Sequence, residues 1–315
     1  MILLAFLGFG GWGLGGDSYG TVNFNKASRI VNESLNLGIK FFDTSPTYGS
    51  GQSELVIGET LSDFSKKKDV QVCTKFGALP HTGRIMPFCF DPISLSQSLY
   101  SSRFRLKRDF LDIVLLHSPP PDLNKQDIYS IRKVINQELD SGGIINFGIS
   151  LKSPSDYAYF LSHFPEITAF QFNFNLIDQR AKSCGLLDLL SNSNLISITR
   201  TPFVFGFLGN ATKKTLFDTN DHRNNWNISQ IDTWINSKDI FKDFADSLEL
   251  SIAELALSFC LSTPNISYVI PGMLSSQNIK SNIKTSQNIS LSSNQLSELY
   301  EIFKKHNFSL KSSNS

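Results

Sequence analysis

Apolar residues in this chain fall into short dense runs, separated by stretches in which they recur every three or four positions. The dense runs are rich in Val, Ile and Phe and read as strands buried on both faces; the stretches between them read as amphipathic helices. Strands are expected at 3–8, 39–44, 70–76, 113–117, 145–150, 169–173, 195–201 and 268–271. Helices are expected near 26–37, 52–61, 93–107, 125–141, 155–163, 182–191, 237–248 and 275–284. Local punctuation agrees: Asn23-Phe24-Asn25 and Ser153-Pro154-Ser155 look like helix starts, and Ser141-Gly142-Gly143 like a helix stop. This alternation predicts an α/β fold, a closed (β/α)8 TIM barrel. It spans 1–306 as a single domain, with 307–315 a frayed polar tail. Two features interrupt the rhythm. Residues 202–234, after the seventh strand, have no period and read as a long functional loop. Extra C-terminal helices are expected near 252–262 and 293–305.

Charge changes little in this picture. Lys and Arg number 29 against 28 Asp and Glu, which makes no electrostatic case for nucleic acid or an anionic membrane surface. No apolar run approaches membrane-spanning length. Cys73, Cys89, Cys184 and Cys260 form no close pair, which argues against a metal site or a disulfide framework and suits a reduced, cytoplasmic protein. The apolar start from Met1 to Leu7 lacks the flanks of a signal peptide and reads as the first strand.

Candidate chemistry sits at strand ends. The second strand stops at Asp43, crosses Thr44-Ser45-Pro46 and presents Tyr48; the third ends in Lys75-Phe76; the fourth ends in His117. Each alone has an ordinary explanation, an Asx-turn aspartate or a paired core residue. Together, at the carboxyl ends of consecutive strands, they lie where such barrels hold their active sites. A tyrosine with a pKa of about 10 is a weak acid near neutrality. A neighbouring lysine favours the phenolate, so Tyr48 can exchange a proton with a carbonyl oxygen. Asp43 then pairs with Lys75, and His117 orients the substrate oxygen. The set has no hydride source, which implies a nicotinamide cofactor.

The glycine run Gly8-Phe9-Gly10-Gly11-Trp12-Gly13 satisfies G-x-G-x-x-G, but no helix opens on its last glycine and Glu33 falls mid-helix. The dinucleotide-fold reading therefore yields to a tight first loop that places Trp12 beside a ligand.

These residues resemble the aldo-keto reductase family over nearly the whole chain, through Gly8 to Trp12, Phe42 to Gly49, Thr74-Lys75-Phe76 and Leu116-His117-Ser118. The resemblance implies a catalytic tetrad of Asp43, Tyr48, Lys75 and His117. It implies nicotinamide contacts from Ser150 in Phe147-Gly148-Ile149-Ser150 and from Gln171 in Phe170-Gln171-Phe172-Asn173, with Arg200 stacking on the ring. Gly11, Trp12, Pro202, Gly206 and Leu208 join the cofactor loops. Gly272, Ser275, Asn278 and Asn282 match the adenosine-phosphate segment, with Asn282 at the adenine. NADPH is the cofactor the resemblance implies. Leu274 and Asn278, however, stand where a cation often grips the 2′-phosphate, which leaves NADH open. Leu151 replaces an asparagine that often follows the serine, and the short hairpin that often precedes the first strand is not expected. Trp12, Phe76 and Trp226, with Asp221-His222-Arg223, form the expected substrate rim for a small-molecule carbonyl, with a lean toward sugars. A cofactor-binding regulatory subunit with little turnover and an aldose dehydrogenase running in the oxidative direction are the competing readings.

Overall fold

All the expected strands pair side by side, and every pairing is parallel. The computed structural model describes residues 5–63, 67–80, 86–209, 211–212 and 215–308. Leu3 and Leu4 of the expected first strand, and 309–315 of the expected tail, lie outside them. The strands are β1 (Phe6–Leu7), β2 (Phe9–Gly10), β3 (Phe41–Asp43), β4 (Gln71–Phe76), β5 (Leu111–His117), β6 (Ile144–Ser150), β7 (Ile167–Asn173), β8 (Ile196–Arg200) and β9 (Tyr268–Ile270). β1 and β2 are two halves of one barrel strand interrupted at Gly8. The first half pairs with β9 and the second with β3, which joins the two ends of the sheet. Backbone bonds from Gly8 N–H to Val269 and from Gly10 N–H to Pro271, at 2.8 and 2.9 Å, run along the seam.

Strand side chains alternate between two apolar cores. Phe41, Cys73, Ile113, Leu115, Ala169, Ile198 and Ile270 form one cluster inside the barrel. Their neighbours Phe42, Val72, Val114, Phe170 and Val269 belong to the larger core between barrel and helices. At the amino-terminal floor Tyr268 stacks on Phe41, centroids 3.9 Å apart, and donates its hydroxyl to Gln71 Oε1 at 2.7 Å. This aromatic bridge spans from β9 to β4.

Helices follow their capping signals. Asn23 accepts from Lys26 N–H at the start of α1 (Phe24–Asn36), and Asp91 followed by Pro92 opens α3 (Pro92–Leu106) after α2 (Gln52–Ser62). α4 (Lys125–Asp140) and α5 (Tyr157–His163) lie as expected. The helix expected at 182–191 is two pieces, α6 (Arg180–Ser183) and α7 (Leu186–Ser191), because Gly185 between them takes a left-handed φ of 84°. α8 (Ile228–Ser247) starts nine residues ahead of expectation, capped by Asn227, so the end of the long loop is helical. Capping boxes at Ser251/Glu254 and Ser292/Gln295 open the extra helices α9 (Ile252–Ser262) and α11 (Ser293–Lys305), on either side of α10 (Ser276–Asn288). Phe308, which the sequence places in the tail, is buried and stacks on Phe241 and Phe303. Among the described residues no helix is long and apolar enough to cross a membrane.

Candidate active site

Strand alternation carries the interior layer upward into polar residues at the carboxyl end. Asp43, Lys75, His117, Ser150, Gln171 and Arg200 all share the phase of the inner cluster. Lys75 is 1% exposed and donates to both Asp43 oxygens and to the Thr44 carbonyl, each at 2.8 Å. Gln171 donates its amide to Asp43 Oδ2 at 2.7 Å and accepts from Ser150 at 3.0 Å. Burial pulls Lys75 down, but the Asp43 charge, with Tyr48 and Cys73, holds it above the usual lysine range and therefore protonated. Removing either partner of so buried a pair costs roughly 3–5 kcal/mol, because the other charge is stranded.

Tyr48 lies on the turn after β3. Its ring is half-buried, with the Lys75 ammonium 4.9 Å from its centroid and His117 edge-on at 5.9 Å. Two glycines put it there. A Cβ on Gly49 would sit 2.2 Å from the Gly15 carbonyl, and one on Gly15 would sit 2.5 Å from Gly49 N. Only bare backbone lets the first loop and the Tyr48 turn touch. Asp17 then accepts from Gly49 N–H, and Gln52 donates to Leu14 and Val22 carbonyls. Burial raises the Tyr48 pKa and outweighs the downward pull of Lys75. The sequence expectation of a lowered value is thus corrected: surrounding protein disfavours the phenolate more than one ammonium favours it.

His117 is 7% exposed, and its Nδ1 lies 3.2 Å from Ser45 Oγ. Ser45 also accepts from Thr47 N–H at 3.2 Å and shares a 2.8 Å bond with the Thr47 hydroxyl. When the Thr47 hydroxyl donates, Ser45 has its own proton for Nδ1, leaving the other ring nitrogen, Nε2, as the N–H donor. Sequence reasoning missed Ser45, since a serine beside Pro46 reads as turn chemistry.

The cofactor residues divide by exposure. Gly272, Ser275 and Asn278 lie at the surface, and Ser275 caps α10 by accepting from Asn278 N–H. A Cβ on Gly272 would meet nothing within 4 Å. Asn282 is buried with its Nδ2 unpartnered among the described residues, as is Nε of Arg200, whose NH2 donates to the Leu151 carbonyl at 2.5 Å. Two buried donors without acceptors, one at each end of the expected cofactor track, fit a ligand rich in acceptor atoms. Between them the non-glycine residues Thr201, Val204 and Phe205 take positive φ, a cluster of backbone strain typical of ligand loops. Leu208 turns its side chain into the core and its N–H to Phe203. Gly11 and Pro202 are buried beside these loops.

At the rim, Trp12 tilts 6.2 Å from Tyr48 and packs on Tyr19, Phe205 and His222. Phe76 does not reach it. One residue past inward-facing Lys75, it has the opposite phase, is fully buried and packs edge-on against Phe147 in the outer core. Trp226 stands one ring further out, against Phe205 and Trp234, beside a cavity of about 380 Å³ beyond β7 and β8.

The model of the Aldo/keto reductase family matches residues 6–304. A Bacillus subtilis protein described as an uncharacterized oxidoreductase, YqkF, is 26% identical over 93% of this chain and 94% of its own length. A rice (Oryza sativa) protein described as a probable voltage-gated potassium channel subunit beta is 25% identical, over 88% of this chain and 86% of its own. The solved aldo-keto reductase of Bacillus halodurans, in its holo form, superposes with a TM-score of 0.75 at 21% identity, covering 95% of this chain and 92% of that one.

Proposed function

The chain belongs to the aldo/keto reductase family, and on that premise we propose that it reduces a small aldehyde or ketone to the alcohol with Tyr48 as general acid. The observation that carries this reading is the Tyr48 ring 4.9 Å from the Lys75 ammonium, which is itself buried and paired with Asp43 at 2.8 Å.

Ser150, Gln171 and Arg200 would hold the nicotinamide end of the cofactor, and Gly272, Ser275 and Asn282 the adenosine end. Bound there, the cofactor supplies a hydride for the carbonyl carbon. Tyr48 gives its hydroxyl proton to the carbonyl oxygen. Its phenolate is stabilised at that moment by Lys75, which Asp43 and the Thr44 carbonyl hold in place. Gln171 ties Asp43 to the cofactor side, so proton donor and cofactor contacts share one network. His117 orients the substrate oxygen and Trp12 covers the reacting end.

None of Gly272, Leu274 and Asn278 is a cation, and Lys280 turns to Glu33 on α1 at 3.6 Å. NADPH, the cofactor expected from the resemblance, therefore has little to grip its 2′-phosphate in this segment, and NADH should bind comparably. Fluorescence titration of the protein with each cofactor tests this; a hundredfold preference for NADPH would refute it.

Steady-state reduction of an aldehyde panel tests the activity. Tyr48→Phe should lower kcat by about 10²-fold or more with cofactor affinity within about twofold, since the phenol is the proton donor. The rice relative keeps a binding role in view. Cofactor capture with no turnover by the unaltered protein would favour that role, and comparison of rates in both directions separates reduction from aldose oxidation.

A further inference from the structure

His222 sits on the loop between β8 and α8, and its Nδ1 accepts from Trp226 Nε1 at 3.2 Å. An indole nitrogen can only donate, so the bond fixes the tautomer: neutral His222 carries its proton on Nε2. That N–H is buried and has no hydrogen-bond partner among the described residues. Buried donors are rarely left unpaired in native proteins, so each exception asks for an acceptor.

Its surroundings point to the substrate side of the barrel. The His222 ring tilts 4.5 Å from Trp12 and stands edge-on to Tyr19 at 4.7 Å and Phe205 at 5.4 Å. Trp12 is in turn 6.2 Å from Tyr48. The rings over His222 are half-buried rather than core residues, so a ligand at Nε2 would need one of them to turn aside. The backbone beneath is held firmly. His222 N–H donates to the Ser18 carbonyl at 2.9 Å, and Asp221 caps the turn and pairs with Arg223. Burial lowers the His222 pKa to about 4, against the upward pull of Asp221, so the ring is neutral near pH 7. Arg223, the cation nearby, is spent on Asp221 and the Phe205 carbonyl. A neutral N–H between aromatic faces suits an uncharged oxygen on a carbon chain, not a phosphate or carboxylate.

We propose that His222 Nε2 is a substrate-recognition donor that takes a hydroxyl oxygen of a polyhydroxylated aldehyde, several carbons from the carbonyl held at Tyr48. The proposal rests on the reductase reading and supplies its substrate class: open-chain aldoses in preference to alkanals of equal length.

The test compares erythrose with butanal, and a five-carbon aldose with pentanal, in unaltered protein and in His222→Phe, which keeps a ring against Trp12. Loss of one neutral hydrogen bond predicts a drop of about tenfold in kcat/KM for the aldoses, mostly through KM, and a change within about twofold for the alkanals. Trp226→Phe removes the bond that fixes the tautomer but leaves the ring in place, so it should lose part of the aldose selectivity, less than His222→Phe; a greater loss than in His222→Phe overturns the proposal. An equal loss for aldoses and alkanals, or no loss for aldoses, overturns the proposal. A readout without turnover separates it from the reductase reading: the ¹⁵N signal of His222 Nε2 in cofactor-saturated protein, titrated with each compound. A shift with aldose and none with alkanal supports the role even if neither is reduced. No shift with aldose, or the same shift with both, overturns it.

Discussion

Tyr48 shows how two opposing influences on one group are weighed. Lys75 pulls its pKa down, but burial raises it further, so the acid form is the resting one. Reduction should therefore hold a flat kcat/KM from neutral pH to about 10 and fall only above that, as the phenol ionises. The oxidative direction, which needs the phenolate, should rise with pH over the same interval. A reductive limb centred near pH 7 would assign the proton to another group. Ser45 makes a second test at this scale. Ser45→Ala removes the hydroxyl from His117 Nδ1 and leaves the Asp43–Lys75 pair untouched. We expect kcat/KM to fall by about tenfold, with Ser45→Thr recovering most of it, as for loss of one orienting hydrogen bond. Unchanged kinetics and unchanged His117 ¹⁵N shifts in Ser45→Ala would count against that orientation. Ser45 was illegible in sequence because its partner lies 72 positions away.

Helices around the barrel press on one another through single residues. Gly58 on α2 faces the end of α3 so closely that a Cβ would lie 2.1 Å from the Arg105 carbonyl. The same contact buries Glu54, which accepts from Thr74 on β4 and from Arg105 on α3 at 2.5 and 2.7 Å. β4 carries Lys75, so this packing bears on the site. Gly58→Ala should destabilise the fold by about 1–3 kcal/mol, as overpacking does, read as a lower urea midpoint with an unchanged slope. A midpoint equal to the parent's would mean that α2 and α3 can part cheaply. Caps, strand positions and both extra helices were legible here, because they depend on neighbours along the chain. The early start of α8 and the break at Gly185 were not, since both depend on what the segment packs against.

Across the whole molecule the two ends of the barrel do different work. The floor is closed by Tyr268 against Phe41 and Gln71, far from the carboxyl-end residues that carry the chemistry. Tyr268→Ala should cost on the order of 2 kcal/mol, less than a fully buried aromatic because the ring is only half-buried. Cofactor affinity should stay within about twofold, for the same reason that stability and activity map to opposite faces of such barrels. A matching loss of affinity would show that the floor is coupled to the site. By itself the sequence determined the barrel and where its strands lie, and put Asp43, Lys75 and His117 at the ends of β3, β4 and β5 with Tyr48 just past β3, because period, caps and strand-end chemistry are local. It also rejected the glycine run as a dinucleotide-fold motif, and the single 3-10 turn at Trp12–Gly15, with no α-helix before α1, agrees. Only the tertiary structure decided which way a strand-end side chain faces. That phase turned Phe76 outward, while loop packing left His222 with an unspent proton and burial prevailed over charge at Tyr48, since each depends on atoms that the chain brings together only when the barrel closes.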